Sequence, residues 1–136
     1  LTKVLLDEKT RMFLRMRALF SLRNLNTDES VYALCSGFSA KSALLKHEIA
    51  YVLGQMQRSS ALDSLISVLD DDKEHVMVRH EAAEALGAIG DSRALEALKR
   101  NLSDSHLEIS ESCEVALDML EYYSEISVKS GDTFKD

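Results

Sequence analysis

Proline is absent from this chain, and only five glycines occur in its 136 residues. Three of those glycines, Gly54, Gly87 and Gly90, fall at or near the ends of expected helices, an economy that suits an all-helical protein. Two cysteines, Cys35 and Cys113, are too few and too far apart for a disulfide framework, so both are expected to be reduced, buried small residues. Basic residues are also in deficit. Lysine and arginine total 16 against 23 acidic residues, a net charge of -7, whereas a phosphate-binding surface needs clustered cations. Nucleic acid is thereby excluded as a partner, and a cationic ligand is the better electrostatic match. No sustained apolar run is long enough for a bilayer and no charged-apolar-small leader opens the chain, so no membrane partner is expected and a soluble, cytoplasmic protein is.

What the chain does contain is a repeat. Lys46-His47-Glu48-Ile49-Ala50-Tyr51-Val52-Leu53-Gly54 recurs, at a shift of 33, as Arg79-His80-Glu81-Ala82-Ala83-Glu84-Ala85-Leu86-Gly87. The correspondence continues from Ala61-Leu62 to Ala94-Leu95, from Leu65 to Leu98, and from Leu69 to Leu102. A period in the low thirties with two helical segments per unit predicts helical hairpins stacked into a short α-α superhelix, each burying its apolar side against its neighbours.

About four units are expected. The first pairs a helix over Thr10–Leu25 with one over Glu29–Phe38; aligned at a shift of 31, it places Met16 and Arg17 where later units have His and Glu. The second pairs Ser39–Met56 with Ser59–Leu69, and the third spans Val76–Leu102 around a turn at Gly90-Asp91-Ser92. Carrying the shift of 33 forward puts Cys113 and Glu114 at the His and Glu positions of a fourth. The outer units thus diverge, as capping repeats do. Leu1–Leu6 reads as the tail of a helix with a partner upstream, residues 1–126 as the repeat domain, and residues 127–136 as a polar tail or linker without periodicity. The run Asp70-Asp71-Asp72-Lys73-Glu74 lacks EF-hand spacing and is expected to be a solvated loop.

On a helical wheel Leu45, Ile49, Val52, Leu53 and Met56 form one stripe, the core face, while His47 lies nearly opposite and Glu48 on the flank. His80 occupies the same angle in the next unit, with Glu84 one turn on. Neighbouring helices of a superhelix lie roughly 8–10 Å apart, close enough for His47 and His80 to lean toward one point. Flanked by Glu48 and Glu81, they supply a mixed nitrogen and carboxylate set suited to iron, manganese or zinc, and iron with open positions activates oxygen. Duplicated polar surface accounts for the same residues, and both readings stand at this point. His75 and His106 fall in connections and read as surface residues.

Taken together, the stretch from Ser42 to Met56, the stretch from Met77 to Gly90, and Glu111-Ser112-Cys113-Glu114-Val115-Ala116-Leu117-Asp118-Met119 resemble the deoxyhypusine hydroxylase family. The likeness covers nearly the whole chain but one half only of a two-half protein, and the last stretch is most like the C-terminal half. The resemblance implies a HEAT-repeat di-iron monooxygenase that hydroxylates the deoxyhypusine side chain of a translation initiation factor with dioxygen. It implies His47, Glu48, His80 and Glu81 as iron ligands, with Glu81 and Glu48 also placed to hold the substrate amine. The family site needs four His-Glu pairs and this chain has two. The expectation is therefore a severed half, inactive alone unless the other half or a second copy completes the site. Two other classes remain open: a non-enzymatic HEAT scaffold that uses the same four residues as polar contacts, and a repeat-type bilin lyase or chaperone dependent on a reactive cysteine or acid, with Cys113 as the candidate thiol.

Overall fold

The inner and outer helices alternate along the chain. In a computed structural model, which describes the backbone of residues 1–134 and side chains as far as residue 127, there are eight α-helices and no strand among the described residues. They are α1 (Thr2–Leu6), α2 (Met12–Leu25), α3 (Asp28–Ser36), α4 (Ala43–Met56), α5 (Leu62–Asp70), α6 (Val76–Ile89), α7 (Leu95–Arg100) and α8 (Leu107–Phe134). An inner row, α2, α4, α6 and α8, packs each member on the next, while α1, α3, α5 and α7 back it on the outer side. The expected hairpins are α2–α3, α4–α5 and α6–α7. The polar tail expected over 127–136 continues α8 in helical form as far as Phe134; residues 135 and 136 lie outside the described residues.

The core stripe holds as the periodicity predicts. Leu45, Ile49, Val52 and Leu53 of α4 are fully buried, and in the next unit so are Val78, Ala82 and Leu86 of α6, with Ala85 nearly so. The inner helices α2, α4 and α6 also end alike. Asn26, Gln57 and Gly90 take left-handed backbone with φ of 49°, 55° and 73°, and their N–H groups donate to Leu22, Leu53 and Leu86. This C-terminal cap satisfies an otherwise orphaned carbonyl. Of the three glycines noted in sequence, only Gly90 serves it.

Gly54 and Gly87 do something else. A Cβ at Gly54 would stand 3.1 Å from the Cα of Ala85, and one at Gly87 would stand 3.1 Å from the Cα of Ala116. Backbone cannot rotate away, so these positions set how closely α6 approaches α4 and α8.

The fourth unit is out of the register that the sequence suggests. α8 begins at Leu107 where α6 begins at Val76, a shift of 31: a 3-10 turn over Asn101–Ser103 completes the outer helix begun by α7, and only residues 104–106 then precede α8, two fewer than the residues 71–75 that precede α6. Burial confirms that shift: Val78, Ala82, Ala85 and Ile89 correspond to the core-facing Ile109, Cys113, Ala116 and Leu120. Cys113 therefore stands in the place of Ala82. Glu111 takes the His position and Ser112 the Glu position.

The base that opens each motif belongs to the scaffold. Arg79, 2% exposed, donates its Nε to the Leu69 carbonyl at 2.9 Å and its Nη2 to Asp104 at 2.6 Å. Arg15 makes the same tie to Leu5 at 2.9 Å and to Glu8 at 3.2 Å, which lets α1 stand in for an outer helix. Lys46 pairs instead with Glu74, at 2.8 and 2.9 Å. Glu74 is consequently enclosed, and Asp70 accepts from Arg100 and Asn101, both at 2.7 Å. The acidic run expected as a solvated loop is thus partly structural, because its end carboxylates tie neighbouring units together.

Two outcomes follow from this packing. Gly87→Val should lower stability by about 2 kcal/mol through overpacking against Ala116; an unchanged urea midpoint would show that α6 and α8 do not meet as closely as described. Asp104 is held at about 2 by the Arg79 hydrogen bond, below an unfolded value of about 3.9. Its depressed value means the pair stabilises fully above about pH 4 and loses that contribution as pH falls toward 2. Asp104→Asn should cost about 2 kcal/mol at neutral pH, with the gap to the parent closing through that acid window in urea melts; a gap independent of pH would contradict the assignment.

Candidate metal centre

Each His-Glu pair projects from the middle of an inner helix, where flanking core residues fix its direction. His47 and Glu48 follow buried Leu45 and precede buried Ile49, and His80 and Glu81 lie between buried Arg79 and Ala82. His47 and Glu48 are each 28% exposed as side chains and His80 is 26%, so none is core. Glu81 is different. At 10% side-chain exposure it is the enclosed member.

The two pairs meet through Glu81. Its Oε2 lies 3.1 Å from His47 Nε2, across from α6 to α4, while His47 Nδ1 lies 3.7 Å from Glu48 Oε1. His80 Nε2 lies 3.1 Å from Glu84 Oε1 one turn along its own helix. Donor atoms of His80, Glu81 and Glu84 all lie within 4.8 Å of one another, a spacing that could hold a metal ion. His47 and Glu48 stand outside that triplet and join it by the Glu81 contact.

Electrostatics mark the same carboxylate. Burial foremost, then the neighbouring charge of Glu84, push the Glu81 carboxyl up, and the imidazoles of His47 and His80 oppose the shift. A carboxylate crowded by another and faced by two imidazoles is a site in which a cation would relieve repulsion. The donor set, imidazole nitrogen plus carboxylate oxygen, fits iron, manganese or zinc rather than calcium.

Glu84 is the member that sequence reasoning did not assign, although its place one turn after His80 was visible. Its equivalent in the second unit is Tyr51, so the repeat itself gave no cue. Beside the cluster runs a groove of about 730 Å³. Its polar wall includes Glu81, Glu84 and Glu111, and Ala85, Val115 and Met119 are among its apolar lining.

The remaining candidates fall away from the cluster. His75 Nδ1 accepts the Met77 N–H and caps α6, and His106 Nδ1 lies 3.2 Å from Asp104, both in connections as expected. Cys113 is fully buried and burial pushes its thiol up to about 11. Such a thiol is a packing residue, which removes the candidate nucleophile of the bilin-lyase reading. Cys35 is half-buried, and burial raises its thiol as well.

Comparison with known proteins agrees with this architecture. Residues 33–118 match the family model for HEAT repeats. The chain is 61% identical over 122 residues to deoxyhypusine hydroxylase from Candida glabrata, covering 90% of this chain and 38% of that protein. It is 58% identical over 134 residues to deoxyhypusine hydroxylase from Arabidopsis thaliana, covering 98% and 42% respectively. The solved structure of human deoxyhypusine hydroxylase in complex with glycerol matches with a TM-score of 0.90 at 45% identity, over 93% of this chain and 44% of that one. The chain spans about two fifths of the length of the curated relatives it matches. With helical hairpins stacked along its length and a family model matching most of it, this chain belongs to the HEAT-repeat family.

Proposed function

We propose that the chain forms one half of a di-iron deoxyhypusine monooxygenase, the half most like the C-terminal one, acting in the cytoplasm on a translation initiation factor. The observation that carries this reading is the convergence of His80, Glu81 and Glu84 donor atoms within 4.8 Å, with His47 3.1 Å from Glu81. His47, Glu48, His80 and Glu81 would hold the metal, and Glu84 adds a carboxylate that the sequence reading left unassigned. Bound iron with open positions supplies the activation of dioxygen. No helix among the described residues is long and apolar enough to cross a membrane.

The chain's own residues would do the binding and orienting. A long aliphatic side chain bearing protonated amines matches the groove in both respects. Its methylenes would lie against Ala85, Val115 and Met119, and Glu81, Glu84 and Glu111 on the groove wall would face its ammonium groups. Glu81 and Glu48 are thus placed to hold an amine as well as a metal. A scaffold that merely grips a protein partner gives no reason to enclose a carboxylate between two imidazoles, where its burial costs stability. Two His-Glu pairs are half of what the family resemblance implies, so the other half, or a second copy of this chain, would complete the site.

In a protein carrying both halves, His47→Ala and His80→Ala should each lose iron stoichiometry by elemental analysis with helical content unchanged; full iron in either variant would overturn the assignment. Glu84→Ala in the isolated chain should weaken cobalt(II) binding about tenfold, the order of loss expected when one supporting group is removed. Unchanged cobalt affinity would exclude Glu84 from the donor set.

A further inference from the structure

The first unit of the stack is open on one side. Arg15 and Arg79 make the same tie, each donating Nε at 2.9 Å to the carbonyl ten residues earlier, that of Leu5 and of Leu69. α1 and α2 therefore repeat the end of α5 and the whole of α6, with Leu1, Val4 and Leu14 standing where Leu65, Val68 and Val78 stand. The later three are 0%, 7% and 0% exposed, whereas the earlier three are 57%, 38% and 42% exposed. The difference is the preceding unit: α3 and α4 back the third unit, and nothing described backs the first.

The fourth unit is open on the opposite side. Along the stack Gly54 meets Ala85 and Gly87 meets Ala116, and the His position of one inner helix meets the Glu position of the next, as His47 meets Glu81 and His80 meets Ser112. On α8 the forward members of both contacts are Glu111, in the His position, and Asp118, in the Gly position; both are exposed, as is Val115 between them. On α2 the backward members are Arg17, in the Glu position, and Ser21, in the Ala position, and these are exposed too. Charge divides the two faces. α2 has three arginines and no acid, while α8 as far as Ser127 has six acids and no base. Arg17 holds its guanidinium over the Phe13 ring, 5.9 Å from the centroid, on the open side.

We propose that the α1–α2 face of one copy of this chain docks on the α8 edge of a second copy, continuing the stack across the junction. Each face calls for what the other supplies. Arg17 then faces Glu111 of the second copy, and the Ser21 hydroxyl donates to Asp118. Leu1 and Val4 come to the start of α8, where Leu107 is exposed, because an outer helix ends beside the start of the inner helix that precedes it in an antiparallel hairpin. Side chains stand on both faces where the interior has glycine, so the gap is wider than that between α4 and α6, and the long Arg17 side chain spans it. A contact between unlike faces closes when each copy uses both, and a pair that does so has twofold symmetry. Glu111 also lines the groove; Glu81 likewise both meets a neighbouring unit and lines it, so the two roles are compatible. The reading above asks for a facing half, and this inference names a surface that would hold one, resting on packing and charge rather than on metal.

Light scattering on the parent chain should give a mass above that of one copy, rising with concentration. Arg17→Glu should weaken association about tenfold or more, because like charges then meet, and Glu111→Arg added to it should restore association, with helical content equal in all three. Geometry is read by cross-linking. Ser21→Cys and Asp118→Cys are made in separate chains, each also carrying Cys35→Ser. Under mild oxidation the mixture should give a disulfide-linked dimer on a non-reducing gel, and neither variant alone should. A parent that stays monomeric up to its solubility limit, a mixture that cross-links no more than either variant alone, or association of Arg17→Glu within about twofold of the parent would overturn the inference. None of these readouts involves metal, so a chain that associates and cross-links as described but takes up no iron supports the junction while the metal reading fails.

Discussion

The contact between Glu81 and His47 exists because α6 lies close against α4. Gly54 opposite Ala85, and Gly87 opposite Ala116, remove the Cβ atoms that would hold the inner helices apart. At wider spacing the side chains of adjacent units would be bridged by water, and the carboxylate would be solvated. At this spacing Glu81 is enclosed and meets an imidazole from the unit before it, while Glu84 crowds it from its own helix. Close packing thus converts a surface dipeptide, repeated twice, into a cluster of donors. The buried Arg79 tie to Leu69 and Asp104 holds the start of α6 in place beneath it.

Much of the architecture was legible in the sequence for a physical reason. Helical burial writes its period into the chain, so Leu45, Ile49, Val52 and Leu53 declared the core face, and the recurrence of the motif from Lys46 at Arg79 declared the stack. The direction of His47 and His80 followed from the same wheel. The fourth unit was misread because identity of residues was carried forward where the spacing had changed. A connection shorter by two residues rotates α8 relative to a fixed shift, burying Cys113 and turning Ser112 toward His80. The helix start before Leu107, at Asp104-Ser105-His106, held the information needed.

Other features could not be read from one chain. Glu84 matches Tyr51 in the repeat, so periodicity gave no hint that it joins the donors. The opening base of each motif had no role assigned to it in the sequence, yet Arg79 is buried and serves the stack. Glu74 likewise left the solvated loop to pair with Lys46. In each case a long side chain reaches across a unit boundary, and its destination depends on three-dimensional spacing rather than on local pattern. The match to deoxyhypusine hydroxylases over about two fifths of their length aligns these residues with part of a longer protein.

The most direct measurement is anomalous diffraction at the iron edge from crystals of the chain grown with ferrous iron under anaerobic conditions. A peak is expected roughly 2.0–2.2 Å from His80 Nε2 and from a Glu81 carboxylate oxygen, the spacing usual for such donors on a divalent transition metal. A peak elsewhere on the molecule, or ordered His80 and Glu81 side chains with no iron between them, would contradict it.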